Sequence, residues 1–288
     1  MAKLICVVCG KEYEAGEIYR CPRDCGELEF TYDYKELSND PVFKDRLFLC
    51  GSIWDRFFDI LPLKKCSNIV SLGEGNTPLV KAERMAKYLG IKNLYFKLES
   101  NNPTGSFKDR QMTVGVSNGK EWGRTDYCTV SSGNVGIALS AYCAKAGFAA
   151  NVWVADDTPK SKYEQIQIYG AKLFLFPNAA ENGIEAYNHF FGDLGKFCYE
   201  NNMVPMISAR PINPYMVEGS KTISFEIYTQ LSSELPDCVF IPIGGGGLYG
   251  GMAKGFKELS SLNLTEGMPT LYGVQQMGYM VPLPHLDD

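Results

Sequence analysis

Residues 101–110 read NNPTGSFKDR, and this stretch places one lysine directly behind a tight turn. A lysine amine is inert as an ammonium ion and attacks a carbonyl carbon only after burial or a nearby cation lowers its pKa. Phe107 precedes Lys108, and Arg110 follows two residues later. We expect the ring to exclude water and the guanidinium, if the turn brings it close, to disfavour a second positive charge. An exposed lysine on a polar surface is the alternative interpretation.

Two glycine-containing segments favour a reactive lysine, because each has the pattern of a strand, a tight turn and a helix. They are TVSSGNVG (129–136) and IPIGGGGLYG (241–250). Free backbone N–H groups and the helix dipole suit a phosphate at such a turn, and glycines leave no Cβ in its way. Pyridoxal phosphate offers an aldehyde for a Schiff base with Lys108 and a phosphate for a glycine turn. The alternative interpretation is that these turns bind no ligand and only allow the helices to pack closely. The GxGxxG match at 245–250 is weak evidence for a dinucleotide, because the next strand ends in glutamine rather than an acid.

Most of the chain after residue 71 alternates short apolar strands with helices. Strands are predicted at 94–100, 127–131, 151–155, 172–176, 204–208, 238–243 and 270–275. Such alternation is typical of βαβ units that build parallel sheets with helices on both faces. The sequence therefore predicts the α/β class, preceded by a separate helix over residues 45–61.

Composition excludes several classes of function. The 288 residues carry a formal net charge of −5, so no basic field attracts nucleic acid or anionic lipid. No apolar run is long enough for a membrane span, and the N-terminus lacks the pattern of a secretory signal. Six cysteines are scattered through periodic segments and indicate buried thiols in a reducing cytoplasm. We expect a cytoplasmic protein, and a homodimer is one assembly that stays open for it.

The other four cysteines form a ribbon-like cluster at the N-terminus. Cys6-x2-Cys9 is followed by Cys21-x3-Cys25, and a glycine comes directly after each pair. Two close thiolate pairs on facing turns suit a tetrahedral zinc ion with a structural role. Because the second pair is one residue wider than usual, a ribbon that no longer holds metal is the alternative.

The lysine motif in its context resembles the threonine synthase family. This family belongs to the fold type II pyridoxal-phosphate enzymes, which also include threonine dehydratase and cysteine synthase. The resemblance rests on the cysteine ribbon and on SLGEGNTPL (71–79), NPTGSFKDR (102–110), SGN (132–134), NPY (213–215) and EGSKT (218–222). It implies two parallel-sheet, three-layer domains behind a ribbon-like segment at 1–30. The larger would combine 31–107 with 208–288, and the smaller would span 108–207.

The resemblance also implies a role for each matching residue. Lys108 would hold pyridoxal phosphate as a Schiff base and then move the substrate's α-proton, and Asn134 would hydrogen-bond the ring hydroxyl. The cofactor phosphate would be bound by Gly244, Gly245, Gly246, Gly247 and Leu248. The substrate carboxylate would be bound by Ser131, Ser132 and Gly133, and its phosphate by Arg210 and Lys221. The reaction would convert O-phosphohomoserine and water to threonine and phosphate.

Three positions depart from the family pattern, and they keep other activities open. Gln111 stands where glycine is usual, Met216 where arginine is usual, and Ser220 where glutamine is common. The sequence of the four-glycine turn resembles that of dehydratases and cysteine synthases more than that of threonine synthases. A threonine or serine dehydratase and a β-replacement enzyme therefore remain alternatives. Family members continue past the last predicted strand, so we also expect a truncated chain with an exposed sheet edge or apolar patch. A catalytically impaired binding protein is the non-enzymatic alternative.

Overall fold

The N-terminal segment folds as a small antiparallel sheet. The computed structural model describes residues 2–131, 133–155, 158, 160–176 and 194–275. Strands β1 (Lys3–Cys6), β2 (Glu12–Glu14) and β3 (Leu28–Thr31) lie in the order β2-β1-β3. Leu4, Leu28 and Phe30 are buried with Tyr215, so this sheet packs on a residue almost two hundred positions away.

Three short helices follow the sheet. They are α1 (Tyr34–Asn39), α2 (Pro41–Arg46) and α3 (Ile53–Phe57). The prediction of one helix over 45–61 is wrong, because the chain turns at Gly51 with φ +144°. Ser52 then starts α3 with a capping box in which Asp55 accepts from the Ser52 backbone N–H at 2.8 Å.

The predicted strand at 94–100 is present as β5 (Tyr95–Lys97). It pairs with β4 (Leu79–Lys81), and helix α4 (Glu83–Leu89) connects the two strands along the chain. This pair is antiparallel, which differs from the parallel pairing that the βα alternation predicts. The register Leu79↔Lys97 brings the GEGNTP segment next to the chain that leads into the lysine motif.

A four-stranded parallel sheet forms the middle of the chain, as predicted. The elements are α5 (Lys108–Glu121), β6 (Asp126–Val130), α6 (Asn134–Ala146), β7 (Ala149–Ala155), α7 (Lys160–Ile168), β8 (Lys172–Phe176) and β9 (Val204–Pro205). The strand order is β8-β7-β6-β9. The segment 129–136 thus leaves the carboxyl end of a central strand, which is where open α/β sheets bind ligands.

The last described part of the chain contains the most buried helix. The elements are α8 (Pro214–Gln230), β10 (Cys238–Pro242), α9 (Gly247–Ser261) and β11 (Thr270–Val274), and β10 and β11 are parallel. Helix α8 packs between α5 and α9. Glycine permits this close approach, because a Cβ at position 219 would lie 1.9 Å from the carbonyl oxygen of Arg110.

The β10–β11 sheet exposes a small group of apolar side chains. Phe240 is 65% exposed and stacks on Tyr272 with ring centroids 4.9 Å apart. Val274 on β11 is also exposed. Within the described residues, no helix is both long and apolar enough to cross a membrane.

Candidate active site

Lys108 is the first residue of helix α5, and its amine lies in a small polar niche. Nζ is 2.6 Å from the Ser208 hydroxyl, 3.5 Å from Gln111 Oε1 and 4.2 Å from the centroid of the Phe107 ring. Burial lowers the pKa of Lys108 to about 7. At neutral pH much of this lysine is therefore a neutral amine, which is the form that attacks carbonyl carbon.

Arg110 does not contribute to this shift, and here the sequence prediction is wrong. Its buried guanidinium points away from the amine and makes two-pronged ion pairs with Glu226, at 2.6 and 2.8 Å, and Glu99, at 2.8 and 2.9 Å. These two carboxylates neutralise its charge. Burial alone depresses the pKa of Lys108.

The turn before the lysine is held by Asp109. Its carboxylate accepts hydrogen bonds from the Thr104 hydroxyl at 2.8 Å and the Thr104 backbone N–H at 3.2 Å. Burial raises the pKa of Asp109 to about 6. Gly105 supplies the left-handed residue of the turn, with φ +83°. This local closure fixes where α5 begins and hence where the Lys108 side chain starts.

The four-glycine turn lies next to the same hydroxyl. Gly246 adopts φ +79°, and α9 starts at Gly247. A Cβ at position 247 would lie 2.7 Å from the Ser208 carbonyl oxygen, so only glycine fits there without movement. Ser208 thus lies next to both the lysine amine and the glycine turn. Gly244 and Gly245 are exposed, and Leu248 packs against the core.

The second glycine-containing turn is described except for Ser132, which lies outside the described residues. Ser131 follows β6, and its hydroxyl accepts from the Gly133 backbone N–H at 3.2 Å. Asn134 is the exposed first residue of α6. Among described side chains none caps the N-terminus of α6 or α9, so both helix starts offer N–H groups to an anion.

The two cations predicted for the substrate phosphate are engaged elsewhere. Lys221 is fully buried, with Nζ 2.7 Å from Glu218 and 2.9 Å from Glu258. Arg210 pairs with Glu27 of the N-terminal segment at 2.8 Å. The complete burial of Lys221 argues against its contact with a substrate phosphate. Arg210 is 38% exposed in a surface ion pair, and its role as a phosphate ligand stays a prediction.

Two contacts of the site were not predicted. The sequence predicts Ser208 only as the end of a strand, although a small polar residue at a strand's carboxyl end is the pattern that identifies the other turns. Gln111 and Ser220 were each noted as a departure from the family pattern. The structure brings them together, because Gln111 Nε2 donates to the Ser220 hydroxyl at 2.7 Å. That bond orients the glutamine whose oxygen faces Lys108.

The N-terminal cluster differs from the predicted set in one member. The potential ligand atoms of Cys6, Cys9, Cys21 and Asp24 all lie within 4.8 Å of one another. Cys25 is exposed and does not belong to this group.

Comparison with known proteins places the chain in a family. The family model described as "Pyridoxal-phosphate dependent enzyme" matches residues 70–282, most of the chain. The chain belongs to this family. This pyridoxal-phosphate dependent family member is 38% identical over 277 residues to the threonine synthase of Methanocaldococcus jannaschii. It is 36% identical over 280 residues to that of Methanosarcina acetivorans. The two alignments cover 95% and 96% of the chain, which spans 65% of the length of each relative.

Two solved enzyme structures have a fold similar to that of this chain. Threonine deaminase isoform 2 from Solanum lycopersicum matches with a TM-score of 0.57 and 27% identity, over 70% of this chain and 54% of that chain. Serine racemase from Dictyostelium discoideum matches with a TM-score of 0.56 and 26% identity, over 71% of this chain and 61% of that chain. These matches support the α/β fold of a type II pyridoxal-phosphate enzyme.

The residues of the site fit the group that the family name implies. A neutral amine at Lys108 suits an aldehyde, and the helix start at Gly247 suits a phosphate. Ser208 lies next to both the lysine amine and the glycine turn. One small molecule that carries an aldehyde and a phosphate can therefore reach the amine and the turn together.

Proposed function

We propose that this protein is a pyridoxal-phosphate dependent lyase of the threonine synthase type. It would convert O-phosphohomoserine and water to threonine and phosphate. The observation that carries the proposal is the similarity to two threonine synthases over nearly the whole chain, at 36–38% identity. The depressed pKa of Lys108, to about 7, supports it independently.

Each residue of the site has a part in this proposal. Lys108 would hold the cofactor through its amine and carry the proton that leaves the substrate's Cα. The backbone of Gly244 to Leu248 would bind the cofactor phosphate, and Asn134 the ring hydroxyl. Ser131, Ser132 and Gly133 would bind the substrate carboxylate. Pyridoxal phosphate, when bound, supplies an electron sink next to Cα.

Ser208 adds a positioning contact to this set. Its hydroxyl lies 2.6 Å from Lys108 Nζ and can accept or donate a hydrogen bond, so it can hold the amine in either protonation state. Gln111 Oε1 offers only an acceptor on the other side, at 3.5 Å. Together they would orient the amine toward the glycine turn.

A second candidate is supported by the two engaged cations. Lys221 is buried against Glu258, and Arg210 pairs with Glu27, so neither proposed ligand presents an unpaired charge to a substrate phosphate. A threonine or serine dehydratase, or a β-replacement enzyme, needs no such ligand. The likeness in fold to a threonine deaminase is compatible with this candidate.

Two measurements test the proposal. Added pyridoxal phosphate should produce a visible absorbance band, and borohydride should attach it to the peptide containing Lys108. A protein that never takes up the cofactor would instead support a binding protein. Product analysis of the loaded enzyme then compares O-phosphohomoserine with threonine, serine and O-acetylserine. Phosphate release without threonine would defeat the synthase assignment.

We also propose that the protein works in a reducing compartment such as the cytoplasm. The ten cysteines are all unpaired in the structure, and five of them are exposed or partly buried. These five include Cys50, Cys66 and Cys238, for which the prediction of a buried thiol is wrong. Mass spectrometry of protein alkylated in freshly lysed cells should find all ten thiols reduced. A disulfide that persists in the cell would contradict this location.

A further inference from the structure

The two turns of the N-terminal segment have the same backbone geometry. In the first, the N–H of Gly10 donates to the carbonyl oxygen of Cys6 at 2.9 Å, and Gly10 has φ +69°. In the second, the N–H of Cys25 donates to the carbonyl oxygen of Cys21 at 2.9 Å, and Cys25 has φ +58°. Cys25 therefore occupies the position of Gly10, not that of a second ligand.

This equivalence assigns the ligand position of the second turn to Asp24. Cys9 stands three residues after Cys6, and Asp24 stands three residues after Cys21. Left-handed backbone at residue 25 directs that side chain to solvent, where Cys25 is exposed. The extra residue in Cys21-x3-Cys25 is thus Asp24 itself.

Two distances within the cluster match those of a tetrahedral site. Ligand sulfurs about 2.3 Å from a zinc ion at tetrahedral angles lie roughly 3.8 Å apart, and a sulfur and a carboxylate oxygen roughly 3.6 Å apart. Cys9 Sγ lies 3.8 Å from Cys21 Sγ, and Cys6 Sγ lies 3.4 Å from Asp24 Oδ1. Cys6 and Cys21 are buried, so the ion would be shielded on one side.

Neighbouring groups orient these ligands. The backbone N–H of Cys9 lies 3.5 Å from Cys6 Sγ, and the Tyr13 hydroxyl lies 3.1 Å from Cys21 Sγ. Asp24 accepts from the Gly26 backbone N–H at 2.9 Å, which holds its carboxylate over the cluster. Hydrogen bonds of this kind fix ligands in metal sites and tune their basicity.

We propose that Cys6, Cys9, Cys21 and Asp24 bind one Zn²⁺ ion as a structural Cys₃Asp site, with Cys25 outside it. Four protein ligands leave no position for a substrate, so the ion stabilises the fold of the segment. The segment in turn supports the loop before α8, because Glu27 binds Arg210, two residues after Ser208. Loss of the ion is expected to loosen that loop.

Metal content of purified protein distinguishes Asp24 from Cys25. Wild type and Cys25→Gly should each retain one zinc per chain after dialysis, because glycine suits the left-handed backbone at residue 25. Cys9→Ser should retain none. Asp24→Asn keeps an acceptor for Gly26 N–H but loses the charge, and its affinity in competition with a chromophoric chelator should fall at least tenfold. Zinc-free wild type, loss of zinc from Cys25→Gly, or full affinity in Asp24→Asn would each overturn the site.

Cobalt spectra give a second readout that does not depend on enzyme activity. Co²⁺-loaded wild type should show the visible bands of a tetrahedral ion and charge transfer from three thiolates. Asp24→Cys should raise the charge-transfer intensity by about one third, because it adds a fourth thiolate. An unchanged spectrum in Asp24→Cys would mean that residue 24 does not face the ion. Thermal unfolding of each variant with and without chelator checks that the segment still folds.

Discussion

Lys108 has lost much of the solvation that would keep it charged. Its amine contacts one hydroxyl and one amide oxygen, and the Phe107 ring covers another side. Within the described part of the chain no carboxylate contacts this amine, so nothing there offsets the cost of burying a positive charge, and the neutral amine is favoured. The lowered pKa of this residue therefore follows from packing.

The reaction of Lys108 with pyridoxal phosphate should depend on pH with a midpoint near 7, the value to which burial lowers its pKa. Below the midpoint the amine is protonated and unreactive, and above it the amine is neutral. The band fixed by borohydride, measured from pH 5.5 to 10.5, should level off above pH 8. Lys108→Ala should abolish it, whereas Lys145→Ala, at an exposed position on α6, should leave it unchanged. A midpoint near 10 would contradict the burial argument.

Gly247→Ala should weaken cofactor binding at least tenfold. The new methyl group would lie 2.7 Å from the Ser208 carbonyl oxygen and would push the glycine turn away from the lysine. Gly250→Ala, three residues later in the same helix, meets no atom within 4 Å and serves as the matched control. Fluorescence titration with pyridoxal phosphate measures both. Equal affinities would show that the turn does not bind the phosphate.

Helices α5 and α8 are joined by a buried ion-pair network. Arg110 on α5 meets Glu226 on α8, and Lys97 at the end of β5 binds the same carboxylate at 2.6 Å. The neighbouring cations hold the pKa of Glu226 at about 2, despite its burial. The network fixes three elements around the start of α5, and so it determines the direction from which Lys108 enters the site.

Glu226→Gln should cost about 3–5 kcal/mol in the free energy of unfolding, because it leaves two buried cations without their shared partner. Since folding depresses the pKa of Glu226, its stabilising contribution is full above the unfolded value near 4.5. That contribution is lost as pH falls toward 2. Urea unfolding should therefore show that the free energy of unfolding falls less between pH 7 and pH 3 in Glu226→Gln than in wild type. Glu12→Gln, which breaks an exposed pair with Lys3, should leave stability unchanged.

The N-terminal segment and the rest of the molecule meet at Tyr215. Its ring lies 4.7 Å from that of Phe30 on β3 and 4.8 Å from that of Trp122 after α5. Its hydroxyl accepts from the Gly16 backbone N–H at 3.2 Å. One aromatic side chain at the start of α8 therefore links the segment with the cysteine cluster to the helices that build the active site.

Tyr215→Ala should lower the free energy of unfolding by about 3–5 kcal/mol, as expected for removal of a large buried ring. It should also make residues 2–31 more susceptible to limited proteolysis. Tyr199→Ala removes an 88% exposed ring and should change neither property. Tyr215→Phe, which keeps the ring, should retain most of the stability. If the segment stays protected in Tyr215→Ala, other contacts hold it in place.

The sequence by itself determined the α/β class, the parallel strands around 127–131, the lysine behind its turn and the glycine start of α9. These features depend on neighbours within about ten residues, where periodicity and backbone preference decide the outcome. The tertiary structure alone decided which charges meet. Arg110, Arg210 and Lys221 each pair with carboxylates that only folding brings near, and Asp24 replaces Cys25 because the backbone at residue 25 is left-handed. A charged side chain is stabilised by whichever opposite charge lies within a few ångströms, and a one-dimensional pattern does not contain that distance.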